Sequence, residues 1–397
     1  MAIRVAVLFQ RYGPYHWARL RGAVQHLDAV GVQVYQNDNT YAWEKASARD
    51  LPSVTVFPEA VAEDVSASNV WSSVSTVLST LSPDAVAIHG WVLPSALAAL
   101  DWCIASGTPA IVMSESTPHD FERTRWKEAI KQILVRSFQA GLVGGSLHVD
   151  YLSDLGIPPE RVLTGYDAVD NDHFIHGSNS ARENAHARRS TLDLPQDYFL
   201  ASNRFIPKKN LPRLLKAYRE YVNIRGKKAW HLVLLGDGPL WDEIVALCAT
   251  LGIQEYVHMP GFKQYDALPS YYGLARAFVH ASTTEQWGLV VNEALASGLP
   301  VLVSSRCGCA LDLVVEGQNG YTFNPYHIDD MSTKLLKLDS PSSNLEKMGA
   351  AGRDRVKEWG PNRFGRGLAR AAETALSVPS PSYAELRRLL LQIVMRT

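Results

Sequence analysis

Cysteine is scarce in this chain. The four, at 103, 248, 307 and 309 of 397 residues, are too few for a disulfide framework and too scattered for a two-pair zinc site. Cys307-Gly308-Cys309 is the one close pair, and no second pair or neighbouring histidine completes a tetrahedral ligand set. That usage fits a reducing, cytoplasmic setting. A charge excess is missing too. With 39 Lys and Arg against 40 Asp and Glu, no global field would draw the protein to nucleic acid or to an anionic membrane, and nucleic acid is not an expected partner. Long apolar runs are also absent: no stretch approaches the roughly 20 residues of a membrane span, and the run from Ile3 to Phe9 is too short for a signal peptide. It reads instead as a buried strand. What is present, 46% hydrophobic and 20% charged residues, is the composition of a globular protein. The length suggests two or three domains of roughly 100 to 200 residues each.

Strand and helix patterns alternate from the start. Val5 to Phe9 is a strand, then a Gly13-Pro14 loop leads to a helix with Leu20, Ala23, Val24 and Leu27 on one face, closed by Gly31. Strands near Val54 to Phe57, Ala85 to Ile88 and Ala110 to Met113 follow, separated by helical patterns that include Val70 to Leu81 and Pro94 to Gly107. A further helix carries Trp126, Ile130, Ile133 and Leu134 and leads to a short strand before Gly144-Gly145. Strands alternating with helices imply a parallel sheet covered on both faces. The polar stretch 176–195 lacks an apolar period and reads as a linker. A second α/β alternation then begins near Tyr198, with a helix presenting Leu211, Leu214, Leu215, Tyr218, Tyr221 and Val222. The expected division is a first domain over 1–178, a linker over 179–194, a second domain over 195–365 and C-terminal helices over 366–397, near Asn362 to Leu376 and Tyr383 to Val394, broken by Pro379 and Pro381.

The densest chemical signal is Glu285-Gln-Trp-Gly288-Leu289-Val-Val-Asn-Glu293, followed by Ala-Leu-Ala-Ser-Gly298-Leu-Pro-Val. It reads as a loop off a strand end, a helix starting at Gly288 and Leu289, a glycine stop and another strand. Free N–H groups and the macrodipole at that helix start favour a phosphate. Glu285 falls at the C-terminal end of a strand, where open α/β sheets bind ligands. Two carboxylates flanking a phosphate site suit hydroxyl groups, as on a sugar nucleotide, because they would repel the phosphate itself. Upstream, Arg204 and Lys209 also follow a strand end and precede a helix, so two cations can face a diphosphate. Asn210 reads as the N-cap of that helix, and Gly236-Asp237-Gly238 as a tight turn.

Together these motifs resemble the family-4 retaining glycosyltransferases. Glu285 and Glu293 match the family's E-x7-E motif, and the Glu-Ala-Leu-Ala-Ser-Gly-Leu-Pro-Val that follows matches too. Asn203-Arg204-Phe-Ile-Pro-Lys-Lys209-Asn resembles its basic loop, with Lys208 where an acidic residue is common, and Leu235-Gly236-Asp-Gly-Pro239 and Pro260-Gly261-Phe262 agree in order and spacing. The resemblance implies a GT-B fold: two Rossmann-like α/β domains facing across a cleft, with the C-terminal helices packing back on the first. It implies a nucleotide-diphosphate sugar, expected to be a UDP-sugar, as donor. Glu293 would then hold the ribose and Glu285 the donor sugar, Phe262 would sit at the base, and Arg204 and Lys209 would carry the leaving-group charge without a metal or other cofactor. Neighbouring readings are a GT-B epimerase, a sugar phosphorylase or a non-catalytic nucleotide-sugar binder.

In the first half, Glu115 to His119 runs off a strand end into a polar loop. His119 resembles the family histidine beside the sugar and joins Arg204, Lys209 and Glu285 in the expected catalytic set. The first loop, Tyr12-Gly13-Pro14-Tyr15-His16, departs from the family's glycine pair, leaving His16, His89 and Glu115 as acceptor-side candidates. Asp170-Asn171-Asp172 reads as structural. The acceptor is a hydroxyl on a glycan, a lipid-linked sugar or a small natural product. A peripheral membrane contact stays open.

Overall fold

The computed structural model describes residues 2–37, 50–120 and 124–379. The chain divides into two compact units, one running to Val169 and resuming at Trp359, the other Asp170–Glu358. Among the described residues of the first unit, seven strands form one parallel sheet: β1 (Arg4–Phe9), β2 (Asp28–Asn37), β3 (Ser53–Val61), β4 (Ala85–His89), β5 (Ala110–Ser114), β6 (Ala140–Val143) and β7 (Val162–Thr164), in the order β3-β2-β1-β4-β5-β6-β7. Helices α1 (Pro14–Ala23), α2 (Ala67–Leu81), α3 (Pro94–Ser106), α4 (Arg125–Val135) and α5 (Ser146–Asp154) alternate with them. Val5 to Phe9 are all buried, as a parallel strand covered on both faces must be.

The C-terminal helix Pro361–Ser377 belongs to this unit and buries Phe364, Leu368, Ala371, Ala372 and Ala375, an i, i+4, i+7, i+8, i+11 stripe. Its backbone meets that of α1 directly. A Cβ on Gly22 would lie 2.0 Å from Pro361 O, and one on Gly365 would lie 2.2 Å from Gly22 O, so this helix crossing requires glycine on both sides. The expected helix near Tyr383 to Val394 lies outside the described residues.

Among the described residues of the second unit, six parallel strands, β8 (Tyr198–Ser202), β9 (His231–Leu235), β10 (Val257–Gly261), β11 (Ala277–His280), β12 (Val301–Ser304) and β13 (Gly320–Phe323), run in the order β10-β9-β8-β11-β12-β13. The helices are α6 (Asn171–Glu183), α7 (Ala185–Leu192), α8 (Leu211–Arg225), α9 (Trp241–Leu251), α10 (Leu268–Leu274), α11 (Leu289–Ala296), α12 (Ala310–Leu313), α13 (Ile328–Leu338) and α14 (Leu345–Lys357). Each unit is thus a Rossmann-like doubly wound sheet. The strand order reverses between β1 and β4 in one and between β8 and β11 in the other, and ligands bind at the carboxyl ends of strands at such switch points.

Four sequence expectations are corrected. Most of 179–194 is not a linker: residues 179–183 lie in α6 and 185–192 in α7. Beyond Phe174, the buried positions of α6 are small or polar: Gly177 would clash with Pro269 Cβ at 2.5 Å if it carried a Cβ, and Ser178 Oγ donates to Pro269 O at 3.2 Å, so close packing against α10 takes the place of a continuous apolar stripe. Gly31 does not close α1. It sits inside β2, where a Cβ would meet Leu20 at 2.8 Å and the Tyr12 hydroxyl at 3.0 Å. Asn210 precedes α8 without capping it. Its φ is +58°, and its Nδ2 donates instead to Ala281 O and Pro325 O at 3.0 and 2.8 Å. Finally, the apolar positions that define α4 in the sequence separate in space: Leu134 joins the core, whereas Trp126, Ile130 and Ile133 are 63%, 39% and 41% exposed.

Candidate active site

Two loops leave the switch point of the second unit, one after β8 and one after β11. The first, Asn203 to Lys209, is held from below by the Gly236-Asp237-Gly238 turn. Asn203 N donates to Leu235 O and Phe205 N to Asp237 O, both at 2.8 Å. A Cβ on Gly236 would sit 1.7 Å from Asn203 O, and one on Gly238 would sit 2.7 Å from Phe205 O; both glycines have positive φ. Phe205, fully buried, stacks on Trp241 with ring centroids 5.4 Å apart. The buried Phe205 anchors the loop, while Arg204 beside it is exposed. The expected tight turn at Gly236-Asp237-Gly238 thus has a steric cause.

The second loop is tied to the first: Thr283 N donates to Lys208 O at 2.8 Å, and Asn210 bridges to Ala281. This brings Lys209 onto Glu285, its ammonium donating to Oε2, while Lys208 Nζ stands 3.8 Å from Oε1. His280 Nε2 and Ser282 Oγ each lie 3.2 Å from the same Oε2 and 3.2 Å from each other. Burial alone would raise the Glu285 carboxyl, but Lys209, His280 and Lys208 together hold it well below the usual carboxylate range. Burial pushes the His280 imidazole down and Glu285 pulls it back up, with Lys209 opposing. Because an ionised carboxylate only accepts, His280 donates through Nε2, and Nδ1 is buried without a hydrogen bond among the described residues. Gly288, at φ +105°, turns the chain into α11. A Cβ there would lie 3.5 Å from Glu285 Cγ, 3.6 Å from Cys309 Sγ and 3.8 Å from His280 Nε2, so the helix start and Glu285 share one small space. The Cys307-Gly308-Cys309 segment is structural backing for it: Gly308 N donates to Glu285 O at 3.0 Å and Cys309 N to Trp287 O at 3.1 Å.

Glu293 lies in α11. Its carboxylate is 0% exposed and accepts from the Tyr272 hydroxyl at 2.7 Å. A ribose contact at Glu293 therefore requires the cover around Tyr272 to yield. Gly261 (φ +81°) and the partly exposed Phe262 leave the edge strand β10, with Gly236 N donating to Gly261 O at 3.2 Å.

In the first unit, the residues expected on the acceptor side gather at the carboxyl ends of β1, β4 and β5. His16 belongs to the first turn of α1, its Nδ1 accepting from Gly13 N at 3.1 Å, and burial with nearby Arg19 pushes its pKa down to about 3. His89 donates from Nδ1 to Leu8 O at 3.1 Å, and burial lowers it to about 4. Neither imidazole carries charge near neutral pH. His119 is exposed in a loop shaped by Thr117, whose hydroxyl donates to Asp120 at 2.6 Å and accepts from His119 N at 3.2 Å. The sequence reading missed Arg19 and Asp167, a buried ion pair at 3.3 Å whose carboxyl is raised by burial and by the charge of Glu115. It also missed His280, Ser282 and Tyr272. A histidine five residues before Glu285 at a strand end is a readable signal; Arg19 and Asp167, 148 residues apart, offer none. Asp170, read as structural, accepts from His173 N at 3.1 Å and caps α6.

Residues 183–355 match the family model described as Glycosyl transferases group 1, the part of the chain that holds both switch-point loops. The chain is 34% identical over 135 residues to a sulfoquinovosyl transferase of Arabidopsis thaliana, covering 32% of this chain and 25% of that protein. It is 32% identical over 157 residues to the alpha-monoglucosyldiacylglycerol synthase of Acholeplasma laidlawii, covering 38% and 37%. The chain thus spans well under half the length of these curated relatives. The structure of Anabaena HepE in complex with UDP superposes with a TM-score of 0.72 at 14% identity, covering 94% of this chain and 100% of that one. The fold is the GT-B architecture. No helix among the described residues is long and apolar enough to cross a membrane.

Proposed function

We propose that the protein is a retaining glycosyltransferase that moves a sugar from a UDP-sugar to a hydroxyl acceptor. The observation that carries this reading is the Lys209–Glu285–His280 constellation beside the Gly288 helix start, inside the region that matches the glycosyltransferase family model. In this reading the diphosphate lies at the start of α11 and competes with Glu285 for Lys209. As the glycosidic bond of the donor breaks, Lys209 and Arg204 stabilise the charge that develops on the departing diphosphate. The diphosphate takes the acceptor hydroxyl's proton on the same face, and the acceptor oxygen bonds to the anomeric carbon. Glu285, kept ionised by its neighbours, orients the sugar hydroxyls. Glu293 holds the ribose once Tyr272 gives way.

The charge needed for departure comes from Arg204 and Lys209, so turnover is expected to persist in EDTA. A complete loss that magnesium restores would overturn that point. A thermal-shift screen of nucleotide sugars tests the donor assignment, since a ligand at 100 times its Kd stabilises by about 2.7 kcal/mol. Stabilisation by UDP-sugars is the expected result, and stabilisation only by GDP-sugars, or only by sugar phosphates, would refute it.

A further inference from the structure

We propose that Asn203, at the carboxyl end of β8, binds hydroxyl groups of the donor sugar. The inference rests on the sugar-transfer reading and adds to it a side chain that the motifs leave without a role. Among the described residues five asparagines are buried. Asn210 uses both ends of its amide, Nδ2 donating to Ala281 O and Pro325 O and Oδ1 accepting from Arg213 Nη1 at 3.0 Å. Asn319 does the same, donating to Leu313 O and accepting from Val315 N, both at 2.8 Å. Asn171 donates to Val356 O and Asn292 accepts from Trp287 Nε1, both at 2.9 Å, so each is satisfied at one end. Asn203 is satisfied at neither: it is 9% exposed, and Nδ2 and Oδ1 both lack a hydrogen-bond partner among the described residues. A buried amide in that state is destabilising where an apolar side chain of the same size would not be. The backbone does not call for asparagine either, because the non-glycine residues with positive φ among the described residues are Ser82, Asp193 and Asn210.

Its place in the fold supplies the partner. Strand β8 lies at the switch point between β9 and β11, and Asn203 opens the loop that carries Arg204 and Lys209. The backbone there is clamped: Asn203 N donates to Leu235 O at 2.8 Å, and its carbonyl lies against Gly236, whose Cβ would stand 1.7 Å away. A side chain on so fixed a backbone needs little further ordering to bind. Chemistry narrows what it holds. A carboxamide offers donors and an acceptor together. Phosphate oxygens only accept, so a diphosphate would leave Oδ1 facing negative charge. A uracil imide edge would match both ends, but the base is expected at Phe262 beyond β10, two strands away at about 9–10 Å. A hydroxyl both donates and accepts, and two neighbouring hydroxyls of a pyranose meet both ends of the amide. Glu285, expected to hold the donor sugar, follows β11, the strand next to β8, and Lys209 joins it to the loop that Asn203 opens.

The test compares Asn203→Leu and Asn203→Ala with the intact full chain. Calorimetry measures UDP-glucose, UDP-galactose and GDP-mannose, each against its free nucleoside diphosphate, and thermal melting is followed without ligand. For the nucleotide sugar that the intact chain binds most tightly, both variants are expected to lose about ten-fold or more in affinity, while the matching free diphosphate changes by less than about two-fold. The free diphosphate thereby controls for folding of the site. Without ligand, Asn203→Leu should melt at or above the temperature of the intact chain, because it removes an unsatisfied amide, whereas an asparagine with a structural task would lower it. Unchanged affinity for the nucleotide sugar in both variants would overturn the proposal. So would an equal loss for the free diphosphate, which would put Asn203 on the nucleotide instead of the sugar. An intact chain that binds none of the three nucleotide sugars would refute the sugar-transfer reading and this proposal with it, whereas failure of the proposal alone leaves binding by the intact chain in place.

Discussion

Replacing Lys209 with methionine keeps most of the side-chain volume and deletes one charge, so it separates the catalytic part of the site from its scaffolding. Lys209 and Glu285 are each only 13% exposed, and Glu285 would keep His280, Ser282 and the more distant Lys208. Because these partners remain, the stability cost should fall below that of an orphaned buried charge, at about 1–2 kcal/mol. That corresponds to a Tm lower by about 2–8 °C for a unit of this size. The Glu285 carboxyl is held below its unfolded value, so its contribution is full above the unfolded carboxylate range and is lost as pH falls through the folded value. The Tm gap between the two proteins should accordingly narrow in acid. On turnover the cost should be larger, about 10²–10³ in kcat, because a pre-set cation facing a departing diphosphate is lost. The assay is release of UDP from a UDP-sugar in the presence of acceptor, with Glu285→Gln and the double variant completing a cycle. If Lys209 acts only by holding Glu285, the double variant will be no worse than Glu285→Gln. A kcat reduced less than about ten-fold alongside the expected fall in Tm would refute the leaving-group role.

Other outcomes are expected from the same geometry. Glu293→Ala should weaken UDP and UDP-sugar alike in calorimetry, whereas Glu285→Ala should weaken the sugar donor more than UDP; unchanged UDP affinity in the Glu293 variant would remove the ribose assignment. Gly236→Ala should cost at least about 2 kcal/mol and disturb donor binding, since its Cβ would overlap the Asn203 carbonyl, and denaturant titration checks this. His89 is neutral when folded down to about pH 4 but protonates near 6.5 when unfolded, so the unfolded state binds the extra proton and stability falls as pH drops between those values. At pH 5 this amounts to up to about 2 kcal/mol, and His89→Asn, which retains a donor for Leu8, should flatten that part of the profile.

How much of this could be read from residues alone varies with the kind of interaction. Continuous apolar strands such as Val5 to Phe9 and the motif around Glu285 were legible because their signals are local. The helices over 171–192 were not, because glycine and serine let α6 approach α10 where an apolar stripe was sought. The sequence pattern grouped Trp126 with Leu134 because periodicity identifies a helix without showing which of its faces the rest of the fold covers. At the site, Lys209 pairs with Glu285 and Gly288 lies beside it, residues that local motifs single out. The hold of Tyr272 on Glu293 and that of Arg19 on Asp167 join distant segments and leave no trace in spacing.

The stereochemistry of transfer tests the central claim most directly. With an α-linked nucleotide sugar as donor, NMR of the first-formed glycoside should show an α linkage, because departure and attack share one face and no base on the opposite side is needed. A β product, with His119→Ala abolishing transfer while donor binding is spared, would contradict the account and would make His119 the general base of an inverting reaction.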